Sequence, residues 1–252
     1  MSSSSYIVEN LSAVKRDVAL AEQAAARAGK TRMLAAVKYG TDEEIAALLD
    51  AGVTEIGENR VQQLLAHWPL YEVRGTRVHF IGTLQTNKVK YIADKVCMIH
   101  SVDSPRLAEV IQRAAVRCDR VIDVLVEING ADEAAKSGVA PNEVEALCRA
   151  ILSHSNLRLC GFMTMGPRFE DAEGYRAYFA SVKACGDAVW QALSLAGEPL
   201  YSMGMSESVV PAIHAGADLV RVGRRLFAGR ELTETNSINT DERMNNDEKP
   251  FC

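Results

Sequence analysis

The stretch MLAAVKYGTDEEI, residues 33–45, contains the repeating unit of this chain: an apolar run ending on a lysine, a short turn and a helix start. MLAAVK (33–38) shows no strict alternation of apolar and polar positions, so it reads as a parallel strand buried on both faces. Thr41-Asp42-Glu43-Glu44 is a capping box: the Thr41 hydroxyl serves the third helical N–H and Glu44 reaches back to the cap. Gly52 stands where a left-handed residue would end that helix. The lysine raises a question of its own. Lys is almost never fully buried unless something pairs with it or uses it, so Lys38 either marks where the strand surfaces or points into a site as an amine nucleophile.

The unit recurs along the chain. Further apolar runs are EIGEN (55–59), RVHFIG (77–82), MIHSV (98–102), VIDVLVEIN (121–129), LRLCGFMTM (157–165), PLYSMGM (199–205) and ADLVRVG (217–223). Helical patterns separate them. Ser104-Pro105 supplies an N-cap and a first-position proline for 106–118, Pro141 opens 142–152, and 172–196 has room for one or two helices. Another helical stretch, 6–28, precedes the first strand. Eight strands alternating with helices predict an α/β fold, a single (β/α)8 TIM-type barrel with an extra N-terminal helix; a doubly wound open sheet is the alternative. The barrel is assigned to 1–230. The remainder, 231–252, is polar and nearly free of aromatic and branched residues, the composition of a disordered, solvated tail.

Bulk properties narrow the function classes. A length of 252 residues suits one large α/β domain. The formal net charge of -5 gives no reason to expect nucleic acid or a membrane surface as the main partner. No apolar run approaches membrane-spanning length, the start MSSSSYIVEN lacks a secretory pattern, and Cys252 is terminal rather than four from the end, so prenylation is not supported. None of the cysteines lies in a CxxC pair, and the histidines show no HxH or HxxxH spacing. No metal site or disulfide framework is expected, reduced thiols are the default, and the cytoplasm is expected from the absence of targeting signals only.

Barrel enzymes and binders carry their sites at the carboxyl ends of the strands. Here those ends offer Lys38, Glu58-Asn59, Gly82 with Gln85, Asn87 and Lys88 beyond, His100-Ser101, Asn129, Thr164-Met165, Ser206, and Arg221 to Gly223. The loops after strands seven and eight are where such barrels bind phosphate through backbone amides, with glycine allowing close approach. The plainer reading is that Gly204 and Gly223 make tight turns and Ser206 caps the short helix 209–215. A phosphate site beside an amine suits a phosphorylated carbonyl compound. Lys38 would form a Schiff base with it, provided burial holds the amine's pKa down. Two ligands fit, a sugar phosphate as in an aldolase or pyridoxal phosphate.

Ordered blocks carry a resemblance: LAAVK (34–38), DAGVTEIGENRVQQ (50–63), HFIGTLQTNK (79–88), VLVEIN with KSG (124–129, 136–138), GFMTM (161–165), SMGMS (202–206) and AGADLVRVGRRLF (215–227). By these, from about residue 8 to 230, the chain resembles the pyridoxal-phosphate homeostasis proteins, which are similar to the N-terminal barrel of alanine racemase. The resemblance implies that Lys38 holds pyridoxal 5'-phosphate as a Schiff base. It implies that Ser206 and Gly223 belong to the phosphate cup, that Asn59 lies close to the cofactor ring or its hydroxyl, and that Arg221 faces the pyridine nitrogen. A guanidinium stays protonated and cannot give that nitrogen a full proton, which makes the ring a weaker electron sink. No chemical step falls to Gln85, Asn87 or Lys88, and His100, His154 and His214 read as structural or exposed.

The chain departs from the family pattern in AVK (36–38), where VSK is common, and in Glu207-Ser208 after MGMS. A racemase on this barrel needs a second acid–base group opposite the lysine, in alanine racemases a tyrosine from an additional β-domain. No such domain fits here, and Tyr39, Tyr91 and Tyr201 are the nearest candidates. The expectation is a monomeric intracellular carrier that holds pyridoxal phosphate and delivers it to apo-enzymes, without an assigned catalytic residue. A racemase-like enzyme and a Schiff-base aldolase are the alternatives.

Overall fold

A computed structural model describes residues 5–130 and 137–229. The expected tail, 231–252, and Lys136 of the KSG block lie outside the described residues. Eight strands form a closed parallel barrel in sequence order: β1 Arg32–Ala36, β2 Glu55–Glu58, β3 Arg77–Phe80, β4 Met98–Val102, β5 Ile122–Glu127, β6 Leu157–Met163, β7 Leu200–Met205 and β8 Leu219–Val222. β8 closes on β1 with Leu34 opposite Arg221. The barrel expectation holds, and the open sheet is excluded.

The helices are α1 Ser5–Ala24, α2 Asp42–Asp50, α3 Val61–Val73, α4 Pro105–Arg117, α5 Val144–Leu152, α6 Ala172–Ala192 and α7 Val209–His214. The Thr41 and Glu44 capping box starts α2 in both its hydrogen bonds, and Ser104 with Pro105 starts α4. Residues 172–196 make one helix rather than two; it stops at Ala192, and Ser194 then takes a left-handed φ of 52°. Between β3 and β4 stands only a 3-10 helix, Thr86–Tyr91. The added N-terminal helix buries Ile7, Leu11, Val14 and Val18, spaced so that they form one stripe against α2 and α7. Each such aliphatic contributes roughly 1.5–3 kcal/mol relative to exposure.

Alternation along the strands decides what faces the lumen. Val78 and Phe80, Val124 and Val126, Tyr201 and Met203, and Val220 and Val222 all belong to the main apolar core between sheet and helices. The residues between them, His79, Leu125, Ser202 and Arg221, therefore point inward. Leu125 joins Met98 and Met163 in a small separate apolar cluster. Leu34 and Leu219, both fully buried and outside the main core, face inward as well, beside the polar His79, His100, Ser202 and Arg221.

Candidate functional site

A cavity of about 600 Å³ opens at the carboxyl ends of the strands, and Lys38, Asn59, Ser206, Arg221 and Gly223 all line it. The five residues come from β1, β2, β7 and β8 or the turns directly after them, so barrel closure alone brings them together.

Lys38 lies two residues beyond the end of β1, in a turn closed by the Gly40 N–H donating to the Val37 carbonyl at 2.8 Å. It is exposed, with Nζ 4.8 Å from the centroid of the Tyr39 ring. The strand thus does not end on a buried lysine, and the burial on which the Schiff-base reading was conditioned is not present.

Asn59 follows Glu58, whose side chain leaves in the opposite direction. The Glu58 carboxylate is fully buried behind the sheet, where it accepts from the Tyr71 hydroxyl at 2.6 Å and lies 2.7 Å from His67 Nδ1. Asn59 faces the cavity. Its Oδ1 is buried with no hydrogen-bond partner among the described residues. A buried acceptor without a donor is uncommon and marks a place for one.

Ser206 accepts the Gly223 N–H at 3.3 Å, which ties the loops after β7 and β8 together. The helix-cap position before α7 belongs to Ser208, whose hydroxyl accepts the Met205 N–H at 3.0 Å. The capping reading of Ser206 is therefore wrong by two residues. Gly204 lies within β7, where the pairing with β8 shifts register, rather than in a turn: its φ is 90°, and a Cβ there would lie 2.5 Å from the Ala212 side chain. Gly204 packs against α7 and does not line this cavity.

Arg221 is buried at the cavity floor. Nη1 donates to the Ser202 carbonyl at 2.6 Å and the Ser202 hydroxyl at 2.7 Å, and Nη2 to the Thr164 carbonyl at 2.8 Å. Burial pushes the guanidinium down to about 10, opposed by the Glu127 carboxylate, so it remains a cation at neutral pH. It makes no ion pair at the rim.

The structure adds Arg60 and Arg224 to the lining, which sequence reading missed although each directly follows a singled-out residue, and it places the candidate Tyr39 there as well. Arg224 pairs with Glu207 at 2.9 Å. Gln85 precedes the 3-10 helix Thr86–Tyr91, and Gln85 and Lys88 line a neighbouring cleft of about 200 Å³ shared with Asn59 and Arg60. Asn87 lines neither cavity. Of the tyrosines, Tyr91 is exposed, with Lys90 Nζ 5.0 Å from its ring centroid. Tyr201 faces away from the lumen: its hydroxyl donates to the Lys183 carbonyl at 3.0 Å and to Asp187 at 2.7 Å on α6. Tyr201 cannot serve opposite Lys38. His214 is exposed and His154 half-buried, whereas His100 is fully buried in the lumen. Among the described residues no group of three or more His, Cys, Asp or Glu is placed to hold a metal, and Cys97, Cys118, Cys148, Cys160 and Cys185 are free thiols. No helix there is long and apolar enough to cross a membrane.

The donor set of the cavity suits a phosphorylated aldehyde. It offers a primary amine, a partnerless amide oxygen, a hydroxyl with an adjacent loop amide, and a buried cation. Residues 10–231 match the alanine racemase N-terminal domain family. The pyridoxal phosphate homeostasis protein of Aquifex aeolicus is 38% identical over 214 residues, 83% of this chain and 93% of the relative. That of Deinococcus radiodurans is 36% identical over 210 residues, 82% and 93% of the two chains. Among solved structures, PipY of Synechococcus elongatus with PLP bound superposes with a TM-score of 0.78 at 26% identity, covering 88% of this chain and 99% of that one. An alanine racemase from Clostridium difficile shares the fold, with a TM-score of 0.68 at 14% identity, 84% of this chain matching 56% of that one. Sequence blocks, barrel and cavity agree with these matches: the chain belongs to the alanine racemase N-terminal domain family, among the pyridoxal phosphate homeostasis proteins.

Proposed function

We propose that this chain binds pyridoxal 5'-phosphate reversibly and acts in its intracellular homeostasis, holding the aldehyde and passing it to apo-enzymes. One observation carries the reading: Lys38, Asn59, Ser206, Arg221 and Gly223 share a single cavity at the carboxyl end of the barrel. The name of the Aquifex relative and the PLP-bound PipY structure support it.

When bound, the cofactor supplies an aldehyde carbon that forms a reversible Schiff base with a primary amine. Lys38 offers that amine from an exposed turn, where a released or arriving aldehyde reaches it from solvent. The Ser206 hydroxyl and the loop around Gly223 take the phosphate, with Arg224 at the same wall. Arg221 presents a fixed cation at the floor, and Asn59 Oδ1 takes a hydrogen bond from the cofactor's polar edge. Among the described residues lining the cavity, no second acid–base side chain stands placed opposite Lys38. Tyr39 lies against the lysine itself, and Tyr201 is behind the sheet. This favours a carrier over a racemase, and the chain works as a monomer in the cytoplasm, in keeping with its free cysteines.

An absorption spectrum of the purified protein, followed by borohydride reduction and peptide mapping, tests the reading. A yellow protein whose band shifts on reduction, with a pyridoxyl group on Lys38, is expected. A colourless protein that takes up no added pyridoxal phosphate would revive the sugar-phosphate aldolase. Turnover of alanine or another amino acid at enzyme-like rates would replace the carrier by a racemase-like enzyme.

A further inference from the structure

The lumen holds a chain of polar groups that cofactor binding as described above leaves without a task. His79 on β3, His100 on β4 and Ser202 on β7 are all buried. β4 and β7 are not neighbours in the barrel, so His100 and Ser202 meet only across its interior. His79 Nδ1 lies 2.9 Å from His100 Nε2, and His100 Nδ1 lies 3.0 Å from the Ser202 hydroxyl. That hydroxyl is 2.7 Å from Arg221 Nη1. At the other end, His79 Nε2 faces Glu55 Oε1 at 3.7 Å.

The end groups determine where every proton in the chain sits. A guanidinium only donates, so the Ser202 oxygen accepts from Arg221. Burial works to raise the Glu55 carboxyl, yet His79, Arg32 and Arg77 bring it below its ordinary value, and it stands as a carboxylate. No hydrogen bond joins the two at 3.7 Å, but the carboxylate charge favours the proton on the His79 nitrogen facing it, which leaves His79 Nδ1 as an acceptor. His100 must then donate from Nε2. Burial, with the nearby His79, Arg221 and Arg32, keeps His100 neutral, so its Nδ1 accepts. Only the Ser202 hydroxyl hydrogen can fill that site. Each hydrogen bond therefore runs from Arg221 towards Glu55, and the Ser202 lone pairs are turned onto the guanidinium.

The other bonds of Arg221 go to the main-chain carbonyls of Ser202 and Thr164, which any residue there would offer. Among the described residues the Ser202 hydroxyl is the one side-chain hydrogen-bond acceptor for Arg221, and His100 sets its direction. We propose that Ser202 and His100 are positioning residues that hold the Arg221 guanidinium in a single pose at the floor of the cofactor pocket. This rests on the pyridoxal phosphate reading, and it assigns the buried histidines a task in ligand binding rather than in packing alone.

The test uses the full chain and titrates pyridoxal phosphate into wild type, Ser202→Ala, Ser202→Thr, Arg221→Lys and the Ser202→Ala/Arg221→Lys double variant, reading affinity and the absorption band. Losing one charge-assisted hydrogen bond at Arg221 should weaken Ser202→Ala about tenfold. It should also displace the band of the bound cofactor. Ser202→Thr, which keeps the hydroxyl, should recover both. In the Arg221→Lys background Ser202→Ala should cost nothing further. A wild-type band and affinity in Ser202→Ala would overturn the proposal, as would an equal loss in both backgrounds. Should Ser202→Ala fail to fold, His100→Phe reads the same relation by releasing the hydroxyl, and an undisplaced band there refutes it. If wild type itself takes up no pyridoxal phosphate, the cofactor reading falls together with this one; wild-type behaviour in the variants alone removes only this one.

Discussion

Gly82 and Asn59 lie so close that a Cβ on residue 82 would stand 2.2 Å from the Asn59 carbonyl oxygen and 2.8 Å from its Cα. The obstructing atoms are backbone, which cannot swing aside as a side-chain tip can. Gly82→Ala should therefore displace the turn after β2 and carry Asn59 Oδ1 out of the cavity. The expected cost is about 2 kcal/mol in urea unfolding, as for other overpacked sites. Pyridoxal phosphate affinity should fall at the same time. Retained affinity in a destabilised Gly82→Ala protein would show that Asn59 makes no contact with the cofactor.

Ser206 accepts a loop amide that would otherwise stand free, and its hydroxyl lies on the cavity wall. Ser206→Ala should weaken pyridoxal phosphate about tenfold, the loss of one hydrogen bond to a charged group. Pyridoxal without its phosphate should bind wild type and variant alike. Competition titrations with both compounds check this, and a parallel loss for the two would place Ser206 away from the phosphate.

Replacing Lys38 separates holding from bonding. Lys38→Ala leaves Arg221, Ser206 and Asn59 in place, so some cofactor should still enter the cavity without the shifted absorption band. After borohydride treatment no pyridoxyl peptide should be recovered. A reduced adduct on a different lysine in this variant would mean that the amine is supplied from elsewhere in the chain.

The buried Glu58 and His67 pair sets a pH dependence of stability away from the cavity. Its hydrogen bond to Glu58 raises the His67 pKa; burial opposes the shift, and the Glu58 and Asp42 charges add to it. The folded value exceeds the unfolded one, so the stabilisation is complete below the unfolded value near 6.5 and is lost as pH rises through the folded value. Wild type should lose stability across that window in urea titrations. His67→Ala should lose the slope and, by depriving a buried carboxylate of a partner, cost about 2–3 kcal/mol at pH 6. A variant that keeps the wild-type slope would assign it to another group.

Much of this molecule can be read locally. The capping box at Thr41, the cap at Ser104, the left-handed stop at Gly52 and the recurrence of apolar runs depend on neighbours a few residues apart, and the structure carries all of them. The position of Lys38, Asn59, Ser206, Arg221 and Gly223 at strand ends follows from the same segmentation, because a parallel barrel collects its carboxyl ends on one face. Arg60 and Arg224 were within reach by adjacency and were passed over because charged residues in turns are common.

The number of strands and their parallel class were thus legible in sequence alone, through short-range periodicity and capping; strand order and closure, which exclude the open sheet, came from the tertiary structure. Tertiary structure decided which face each residue takes. In a strand apolar on both sides, alternation does not distinguish lumen from helix layer, so Tyr201 turned outward to Asp187 while Ser202 turned in to Arg221. It also decided that Lys38 is exposed rather than buried, because the chain turns over Val37 to Gly40 directly after β1 ends. Residues 79, 100, 202 and 221 are far apart in the chain, and only closure of β8 onto β1 makes them one hydrogen-bonded line.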